Sequence, residues 1–352
     1  ARAAETSSHL LPSAMAEVSA ALALPCWVSL GDPELVSASE RSLGLGEGRT
    51  NTNFIARVGD DRYFVRLGSD LPAFRVSRER EQAAARAAAA ASIGPEVIYT
   101  QPDVMVCRMI DGSPLLSGDV QAACSGRDEG LLNQLVAIFR TLHSTPAPKA
   151  IAAQARSPTW SPMTDLLNYF ELAAEAMYTR QPFIYKGARE MTDAIEKWLV
   201  SIVGTPPTPV LCHMDLLLDN IVRASDGLYL IDVEYAALDQ PLTDLAIFAM
   251  GADLEVEHEE YFLRAYFASD GERATLHALQ TFDAFKVLAC LRETMWGVAA
   301  ETSGTSALSL AEAIAYVDIN ISKLRRAARQ LASRLDGSDA QLAQALAALD
   351  DA

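Results

Sequence analysis

The sequence predicts an α+β protein built from two unequal lobes, and three features of the chain support this. Between residues 41 and 110, short apolar segments alternate with turn signals around one alanine-rich segment. The run Asp111-Gly112-Ser113-Pro114 then breaks this pattern. Beyond it, apolar residues recur mostly at helical spacing. We therefore expect a small N-terminal lobe with an antiparallel sheet and one helix, followed by a larger and mostly helical lobe.

The elements of the small lobe are predicted from turn chemistry and local composition. Gly59-Asp60-Asp61 is a hairpin signal between two segments of strand character. The segment 78–91 is rich in alanine, a strong helix former, and Gly94-Pro95 follows its end. The predicted elements are strands at 50–58 and 63–67, a helix at 78–91, and strands at 96–100 and 104–110.

The large lobe is predicted from apolar residues spaced three or four positions apart. In the segment 128–143, Leu131, Leu135, Phe139 and Leu142 share one face of a helix. Further helices are expected at 162–179, 187–203, 256–268, 274–300 and 309–334. Two apolar strand segments, at 209–211 and 228–231, lie among these helices and enclose a polar loop.

The composition excludes several classes of protein. With 352 residues, half of them hydrophobic, the chain is long enough to form a proper core. A formal net charge of −17 opposes a nucleic-acid partner, because phosphate backbones are bound by basic surfaces. No apolar run reaches the roughly 18 residues needed to cross a bilayer. The first fifteen residues also lack the apolar centre of a secretory signal.

The cysteines point to a reducing compartment. They number five, an odd count, and they are scattered along the chain, as reduced core residues are. We therefore expect a cytoplasmic protein with a small-molecule partner, no membrane partner and no nucleic-acid partner. A monomer and a homodimer are both compatible with the sequence.

One polar loop carries the residues of a phosphotransfer site. His213, Asp215 and Asn220 follow the first apolar strand, and the second strand leads directly into Asp232. Phosphoryl transfer to a hydroxyl group needs a carboxylate that orients and deprotonates the nucleophile, together with oxygen ligands for Mg²⁺. Asp215 suits the first task, and Asn220 and Asp232 suit the second. The alternative is a polar turn in which these residues serve turn chemistry alone.

These motifs resemble a known family. The pattern His-x-Asp, four residues and Asn is similar to the kinase catalytic loop. The segments Ile-Asp-Val-Glu-Tyr (231–235) and Asp-Leu-Ala (244–246) resemble the bacterial choline-kinase-like branch of the choline and ethanolamine kinase family, within the aminoglycoside-phosphotransferase group. The resemblance covers residues 40–330 and implies a bilobal protein-kinase-like fold. It also implies that His213 and Asp244 support the loop, the alternative for Asp244 being the N-cap of the next helix.

The resemblance divides the chain into an N-terminal extension with a helix at 1–40, a nucleotide-binding lobe at 41–110, and a catalytic and acceptor-binding lobe at 111–352. ATP would lie between the lobes, beneath a glycine-containing loop and beside an arginine where protein kinases have their phosphate-binding lysine. The residues expected to bind it are Gly46, Gly48, Thr50, Asn51, Asn53, Arg66, Glu81, Arg108 and Ile110. Ordinary turn glycines and a surface arginine are the alternatives.

Acceptor binding is expected from aromatic residues of the large lobe. Aromatic faces attract ammonium groups, and a nearby carboxylate adds to that attraction. By resemblance, Tyr235 and Trp296 would contact the acceptor together with Asp215 and Glu234, and Tyr316 is a further candidate. Core packing is the alternative for each ring.

Two positions depart from the pattern of animal-type choline kinases. Ala299 stands where those enzymes have a second tryptophan, and Gly251 stands where an acidic residue is expected. The carboxylate that pairs with the acceptor cation is therefore expected from Asp253, Glu301 or elsewhere.

Together, the motifs predict an ATP- and Mg²⁺-dependent kinase for a small cationic amino alcohol, with choline and ethanolamine as the leading acceptors. The nearest alternative is the same chemistry on thiamine, an aminoglycoside or another small hydroxyl compound. The alternative from another class is a non-catalytic pseudokinase. Degraded catalytic or metal-binding residues would favour it, and the sequence has none at these positions.

Overall fold

Two lobes make up the protein in the computed structural model, which describes residues 12–36, 51–153, 163–185, 187–303, 308–335 and 339–349. The elements of the small lobe are α1 (Pro12–Leu22), α2 (Trp27–Leu30), β1 (Glu34–Val36), β2 (Thr52–Val58), β3 (Asp61–Leu67), α3 (Arg78–Ala90), β4 (Val97–Gln101) and β5 (Val104–Arg108). Its strands form one antiparallel sheet in the order β1-β2-β3-β5-β4. The predicted hairpin, helix and two following strands are therefore confirmed to within a few residues.

The sheet begins earlier in the chain than expected. Strand β1 pairs with β2, with Glu34 opposite Arg57, so the segment assigned to an N-terminal extension supplies an edge strand. Helix α2 adds Trp27, whose ring meets Tyr63 edge-on with centroids 5.7 Å apart. Both rings are buried in the core of the small lobe. This apolar contact and the pairing of β1 make α2 and β1 part of the small lobe.

Helices dominate the large lobe. They are α4 (Ser117–Cys124), α5 (Glu129–Ser144), α6 (Lys149–Ala152), α7 (Met163–Glu175), α8 (Pro182–Tyr185), α9 (Gly187–Val203), α10 (Pro241–Gly251), α11 (Val256–Phe267), α12 (Glu272–Ser303), α13 (Leu310–Arg334) and α14 (Ala340–Ala347). The six predicted long helices are present. The prediction missed α4, α6, α8 and α14, because helices of four to eight residues are too short for a periodic apolar pattern.

Short strands carry the polar loop. They are β6 (Gly112–Pro114), β7 (Val210–Cys212), β8 (Ile221–Ala224), β9 (Gly227–Leu230) and β10 (Ala237–Asp239). β6, β8 and β9 form one small sheet, and β7 pairs with β10. The hairpin of β8 and β9 therefore brings the segment after Asn220 next to the segment that leads into Asp232.

Helix α12 runs through the centre of the large lobe. Every residue from 281 to 300 is buried, because α7, α9, α10, α11 and α13 pack around the helix. A helix enclosed on all sides is apolar around most of its circumference. Within the part of the chain that the structure describes, no helix is both long and apolar enough to span a membrane.

Helix α12 also contains a buried ion cluster. Lys286 Nζ lies 2.8 Å from a carboxylate oxygen of Glu259 on α11 and 2.9 Å from one of Asp283. Arg334 at the end of α13 lies 2.8 Å from the other oxygen of Asp283. Charges removed from water must be paired, and loss of one partner leaves the others uncompensated. The cluster therefore fixes how α11 and α13 dock on α12.

Replacing Lys286 with alanine should strongly destabilise the protein. The carboxylates of Glu259 and Asp283 would remain buried without their shared cation, a change that costs about 3 kcal/mol or more. We expect Tm to fall by at least about 5 °C in a thermal melt. Lys197→Ala, which removes an exposed lysine from α9, is the matched control. Equal melting of the two variants would contradict a stabilising role for the cluster.

Candidate active site

A cleft of about 510 Å³ lies between the lobes and is lined by residues of both. The predicted site residues that line it are Asn51, Asn53, Arg66, Glu81, Arg108, Ile110, Asp215, Asn220, Asp232, Glu234, Tyr235 and Trp296. Gly46, Gly48 and Thr50, which were also predicted to bind the nucleotide, lie outside the described residues. The fold thus brings the described members of the predicted site to one place, although they are spread over more than two hundred positions of the chain.

The loop between β7 and β8 presents Asp215 and Asn220 side by side. Its last turn is a 3-10 helix at Leu218–Asn220. The side-chain nitrogen of Asn220 donates to Oδ2 of Asp215 at 2.9 Å and to the backbone oxygen of Asp215 at 2.8 Å. Because the amide nitrogen faces Asp215, the amide oxygen of Asn220 is the atom available to a cation.

Two residues of the site have a left-handed backbone conformation. φ is 65° at Met214 and 58° at Asp232. Residues with a Cβ atom adopt this conformation infrequently, and such outliers tend to occur at functional sites. Beside Asp232, the backbone N–H of Ile231 donates to the backbone oxygen of Asn220 at 3.0 Å. This bond holds Asp232 next to the loop that carries Asp215.

Asp244, in the first turn of α10, anchors the loop from beneath. Its two carboxylate oxygens accept hydrogen bonds from the backbone N–H groups of His213 at 2.7 Å and Met214 at 2.8 Å. His143 Nε2 lies 3.1 Å from Oδ2. Burial favours the neutral acid, but these hydrogen bonds favour the carboxylate, and the bond with His143 has the largest effect. Together they lower the pKa of Asp244. The N-cap of α10 is Gln240, so the supporting role predicted for Asp244 is confirmed.

His213 is buried beneath the same loop. Its Nε2 lies 2.8 Å from the backbone oxygen of Ile231, so this nitrogen carries a proton and donates. Burial lowers the pKa of His213 and favours the neutral ring. The ring therefore connects the loop to the segment that carries Asp232, which confirms its predicted structural role.

The carboxyl groups of Asp215 and Asp232 hold protons more tightly than ordinary aspartates. Burial, followed by the charge of Glu293, raises the pKa of Asp215 to about 8. Burial, followed by the charge of Glu234, raises the pKa of Asp232 to about 7. Asp232 is open to the cleft, but the walls of the cleft remove most of the water from its carboxyl group. A cation bound beside these groups would favour their ionised forms.

An acidic group at the base of the cleft fits a divalent cation. Carboxylate oxygens of Glu81, Asp232 and Glu234 lie within 4.8 Å of one another. Oxygen ligands of this kind are the ones that Mg²⁺ prefers. The predicted ligands were Asn220 and Asp232, and the structure adds two further carboxylates beside Asp232.

Two buried arginines balance the acidic group and join the lobes. Arg66 on β3 forms an ion pair with Glu81 on α3. Arg78, at the start of α3, lies 2.7 Å from Glu81 and 2.9 Å from Glu234 of the large lobe. Asn51 accepts a hydrogen bond from Arg78 and donates one to Glu234 at 3.1 Å. We refer to Arg66, Arg78, Glu81 and Glu234 as the interlobe ion cluster; each is at most 4% exposed.

Burial changes the proton affinity of Arg66, one member of this cluster. It lowers the pKa of Arg66 to about 10, and the neighbouring charge of Arg78 acts in the same direction. Arg66 nevertheless remains a cation at neutral pH. Arg66 can therefore offer a fixed positive charge to an anionic ligand at the base of the cleft.

Arg78 is a site residue that the sequence patterns did not identify. Arg78 and Glu81 are three positions apart, a spacing that places two side chains on the same face of a helix. The same spacing is common on exposed helix surfaces, where such pairs contribute little. The signal becomes informative only once the structure shows that both side chains are buried.

Aromatic rings form the large-lobe wall of the cleft. Trp296 Nε1 donates to the hydroxyl oxygen of Tyr235 at 2.9 Å. The ring of Tyr316 meets Trp296 edge-on, with centroids 5.2 Å apart. Burial keeps the pKa of Tyr235 well above its ordinary value, so its hydroxyl group stays protonated. The structure thus groups Tyr235, Trp296 and Tyr316, including the ring that had the weakest sequence support.

Glu293 is a carboxylate of the cleft wall that the sequence patterns did not single out. It precedes Trp296 by about one turn of α12 and lines the same cleft. Its two oxygens are engaged by the hydroxyl of Tyr316 at 2.5 Å and by Arg292 at 2.9 Å. The guanidinium of Arg292 also lies 5.2 Å from the centre of the Tyr235 ring. A carboxylate held from two sides keeps a defined position in the cleft.

The sequence named Asp253 and Glu301 as candidates for this carboxylate and left other positions open; the structure places these two outside the cleft. Asp253 is exposed and pairs with Arg326 on the surface. Glu301 pairs with Arg180 at 2.9 Å, and neither acid lines the cleft. The spacing of Glu293 before Trp296, one turn of a helix, was the signal that could have identified it.

The sequence matches the phosphotransferase enzyme family (APH) over residues 43–282. The chain belongs to this family. The predicted membership of the aminoglycoside-phosphotransferase group is therefore confirmed. The matched segment contains the polar loop, the interlobe ion cluster and the start of α12, so the family assignment includes the residues that bring the two lobes together.

Three similar proteins extend this comparison. Protein LicA of Haemophilus influenzae is 23% identical over 221 residues, which are 62% of this chain and 60% of that protein. A choline/ethanolamine kinase family protein from Mesorhizobium loti has a similar structure, with a TM-score of 0.64 and 22% identity over 94% of this chain and 98% of its own. LicA in complex with AMP gives a TM-score of 0.63 and 21% identity, over 93% and 99% of the two chains. These structural likenesses confirm the predicted bilobal kinase-like fold.

Replacing Asp244 with alanine should impair both stability and turnover. Two backbone N–H groups of the loop would lose their buried acceptor, and a displaced Asp215 should lower kcat by about 100-fold. Thermal melts and steady-state kinetics measure the two effects. Asp253→Ala, which removes an exposed acid just beyond α10, is the control. Wild-type turnover in Asp244→Ala would show that the loop needs no such anchor.

The stability effect of Asp244 should also depend on pH. Because the folded protein lowers the pKa of Asp244, its stabilising contribution is complete above the pKa of an unfolded aspartate. The contribution is lost as the pH falls through the lower, folded-state value. The difference in Tm between wild type and Asp244→Ala should therefore shrink below about pH 4.

Proposed function

We propose that the protein is an ATP-dependent kinase that transfers the γ-phosphate to the hydroxyl group of a small amino alcohol, with choline and ethanolamine as the leading acceptors. One observation carries this proposal. A single continuous cleft joins Asp215, Asn220 and Asp232 to a pocket made of three aromatic rings and the carboxylate of Glu293. Side chains suited to phosphotransfer and a surface suited to binding a cation thus lie in the same cleft.

The nucleotide is proposed to lie against the small lobe. Arg66 would contact its phosphates, held in place by Glu81. The backbone N–H groups of Arg108 and Met109 already donate to Glu96 and Arg62. Adenine would therefore bind the carbonyl group of Arg108 and the backbone of Ile110. Asn51 and Asn53 line the same part of the cleft, directly after the segment that contains Gly46, Gly48 and Thr50.

Mg²⁺ is proposed to be held by Asn220 and Asp232, with Glu81 and Glu234 close to the same position. Bound Mg²⁺ would neutralise negative charge on the phosphate oxygens. The chain contributes the two ligand side chains in a fixed relation, because Asn220 is hydrogen-bonded to Asp215 and the backbone next to Asp232 is tied to Asn220. Arg66 and Arg78 keep the excess of negative charge at this place small.

Asp215 is proposed to orient the acceptor hydroxyl group and to take its proton. Its raised proton affinity, with a pKa of about 8, suits a group that receives a proton as the phosphoryl group is transferred. The hydrogen bond from Asn220 to Oδ2 fixes one side of the Asp215 carboxylate and leaves the other oxygen to the acceptor. Neutral His213, buried beneath the loop, takes no part in proton transfer.

The ammonium group of the acceptor is proposed to lie against Tyr235, Trp296 and Tyr316. Aromatic faces attract cations, more strongly where water is excluded. Glu293 adds a negative charge at the same wall, and its bonds to Tyr316 and Arg292 hold it in place. The similarity to a choline/ethanolamine kinase family protein supports this class of acceptor. Five buried free thiols support the proposed cytoplasmic location.

An activity panel tests the proposed function. Purified protein with ATP and Mg²⁺ should release ADP when choline or ethanolamine is added, and removal of Mg²⁺ with EDTA should abolish the release. Thiamine and an aminoglycoside form the other arms, because the nearest alternative differs only in its acceptor. Preferred turnover of either would replace the proposed acceptor. Binding of ATP without turnover of any acceptor would favour a pseudokinase instead.

Replacing Asp215 with asparagine should remove turnover while sparing nucleotide binding. The amide cannot take the hydroxyl proton, so kcat should fall by at least about 100-fold. Calorimetry should give a Kd for Mg²⁺ and ATP close to that of the wild type. Asp226→Asn, in the exposed turn between β8 and β9, is the matched control. Full activity of Asp215→Asn would exclude Asp215 as the base.

A further inference from the structure

A loop of the small lobe reaches across to the large lobe. Residues 68–77 leave β3 and return to α3, and we refer to them as the inserted loop. Leu71 and Val76 close it by a pair of backbone hydrogen bonds of 3.0 and 3.1 Å. Between them, Pro72–Phe74 forms one turn of 3-10 helix. The inserted loop is thus a compact unit that can move as a rigid body.

The tip of the inserted loop is docked in the large lobe. Phe74 is fully buried, and its ring lies 5.3 Å from the ring of Trp296 at an interplanar angle of 42°. Asn168 on α7 donates to the backbone oxygen of Ala73 at 3.0 Å. Phe74 and Val76 therefore belong to the same hydrophobic cluster as the buried residues of the large lobe, although the chain reaches them from the small lobe.

The base of the inserted loop is held by a residue of the interlobe ion cluster. The backbone N–H of Arg78 donates to Asp70 at 2.7 Å, and its Nε donates to the backbone oxygen of Ser69 at 3.0 Å. The same guanidinium bonds Glu81 and Glu234. One short loop thus connects the proposed nucleotide side of the cleft, at Arg78, to the proposed acceptor side, at Phe74.

Phe74 completes the support of Trp296. Tyr235 binds the indole nitrogen, Tyr316 meets the ring edge-on, and Phe74 packs against it from the small lobe. Phe74 and Trp296 themselves are 0% and 6% exposed. Packed rings of this kind shift together, because protein interiors contain few voids into which a side chain could move.

We infer that Phe74 is a positioning residue that sets the place of Trp296 in the acceptor pocket according to how the small lobe holds the nucleotide. A nucleotide that adjusts the interlobe ion cluster moves the inserted loop, and Phe74 passes this movement to Trp296. Phe74 does not line the cleft and so acts through its neighbour. The inference rests on the proposed function, because it takes the ligands to be a nucleotide and a cationic acceptor.

Fluorine NMR on protein labelled with 5-fluorotryptophan tests the inference. The chain contains four tryptophans, and the variant Trp296→Phe identifies the resonance of Trp296. Addition of Mg²⁺ and the non-hydrolysable analogue AMP-PNP, with no acceptor present, should displace this resonance in the wild type. In Phe74→Leu, calorimetry should still show nucleotide binding, but the displacement should be lost or strongly reduced.

Kinetics give a second and independent reading. Loss of the aromatic contact should raise KM for choline by about tenfold, with KM for ATP close to wild type. The matched control is Phe262→Leu, which removes an equally buried ring that packs on Phe139 and Phe248 away from the cleft. Asn168→Ala loosens the inserted loop without altering a core ring. It should reduce the displacement of the Trp296 resonance and raise KM for choline, as Phe74→Leu does, but by smaller amounts.

The outcomes separate this inference from the proposed function. AMP-PNP that binds without moving the Trp296 resonance overturns the inference and leaves the proposed function intact. Equal effects of Phe74→Leu and Phe262→Leu overturn it as well, because they would reduce the role of Phe74 to general packing. A wild-type protein that binds no AMP-PNP overturns both. Should Phe74→Leu fail to fold, Asn168→Ala decides: unchanged displacement and KM in that variant overturn the inference.

Discussion

Arg78 cannot be buried without anionic partners, and this requirement holds the two lobes of the protein together. A guanidinium group taken out of water is stable only where carboxylates and carbonyl oxygens replace its hydration. Arg78 finds one carboxylate in its own helix, Glu81, and another in the large lobe, Glu234. Its remaining bonds hold the base of the inserted loop. The placement of one side chain therefore fixes the helix of the small lobe, the segment after Asp232 and the loop between them.

The large lobe contributes to the cleft through a helix that is enclosed on all sides. Helix α12 carries Arg292, Glu293 and Trp296 within about one turn, so one short stretch supplies a cation, an anion and an aromatic face to the cleft. A helix at the surface could rotate or fray at such a point. Because five other helices pack around α12, its backbone has little freedom to move, and adjustment at this side of the cleft is confined to side chains such as Trp296.

The polar loop and the cleft wall differ in how well sequence patterns predict them. Asp215, Asn220 and Asp232 follow strands at fixed short intervals, so their proximity is a local property of a loop and a hairpin. The resemblance placed Arg66 and Glu81 at the same expected nucleotide site, although one lies in a strand and the other in a helix. Sequence patterns named Asp253 and Glu301 and did not identify Glu293. All three residues lie in or near long helices, and only the packing of those helices decides which carboxylate faces the cleft. Phe74 was missed because nothing local distinguishes it from any other apolar residue in a short loop.

The sequence by itself determined the kind of chemistry and the division into two lobes. Loop spacing and apolar periodicity are properties of short segments, so they can be recognised without knowledge of the fold. The confirmed helices, the antiparallel sheet and the position of the polar loop after a short strand all belong to this category. Only the tertiary structure decided the composition of the aromatic wall of the cleft and the way in which the lobes are joined. Those features depend on contacts between residues more than a hundred positions apart, such as Arg78 with Glu234 and Phe74 with Trp296. Burial stabilises the apolar contact and makes pairing of the ions necessary, and burial is a property of the folded chain as a whole.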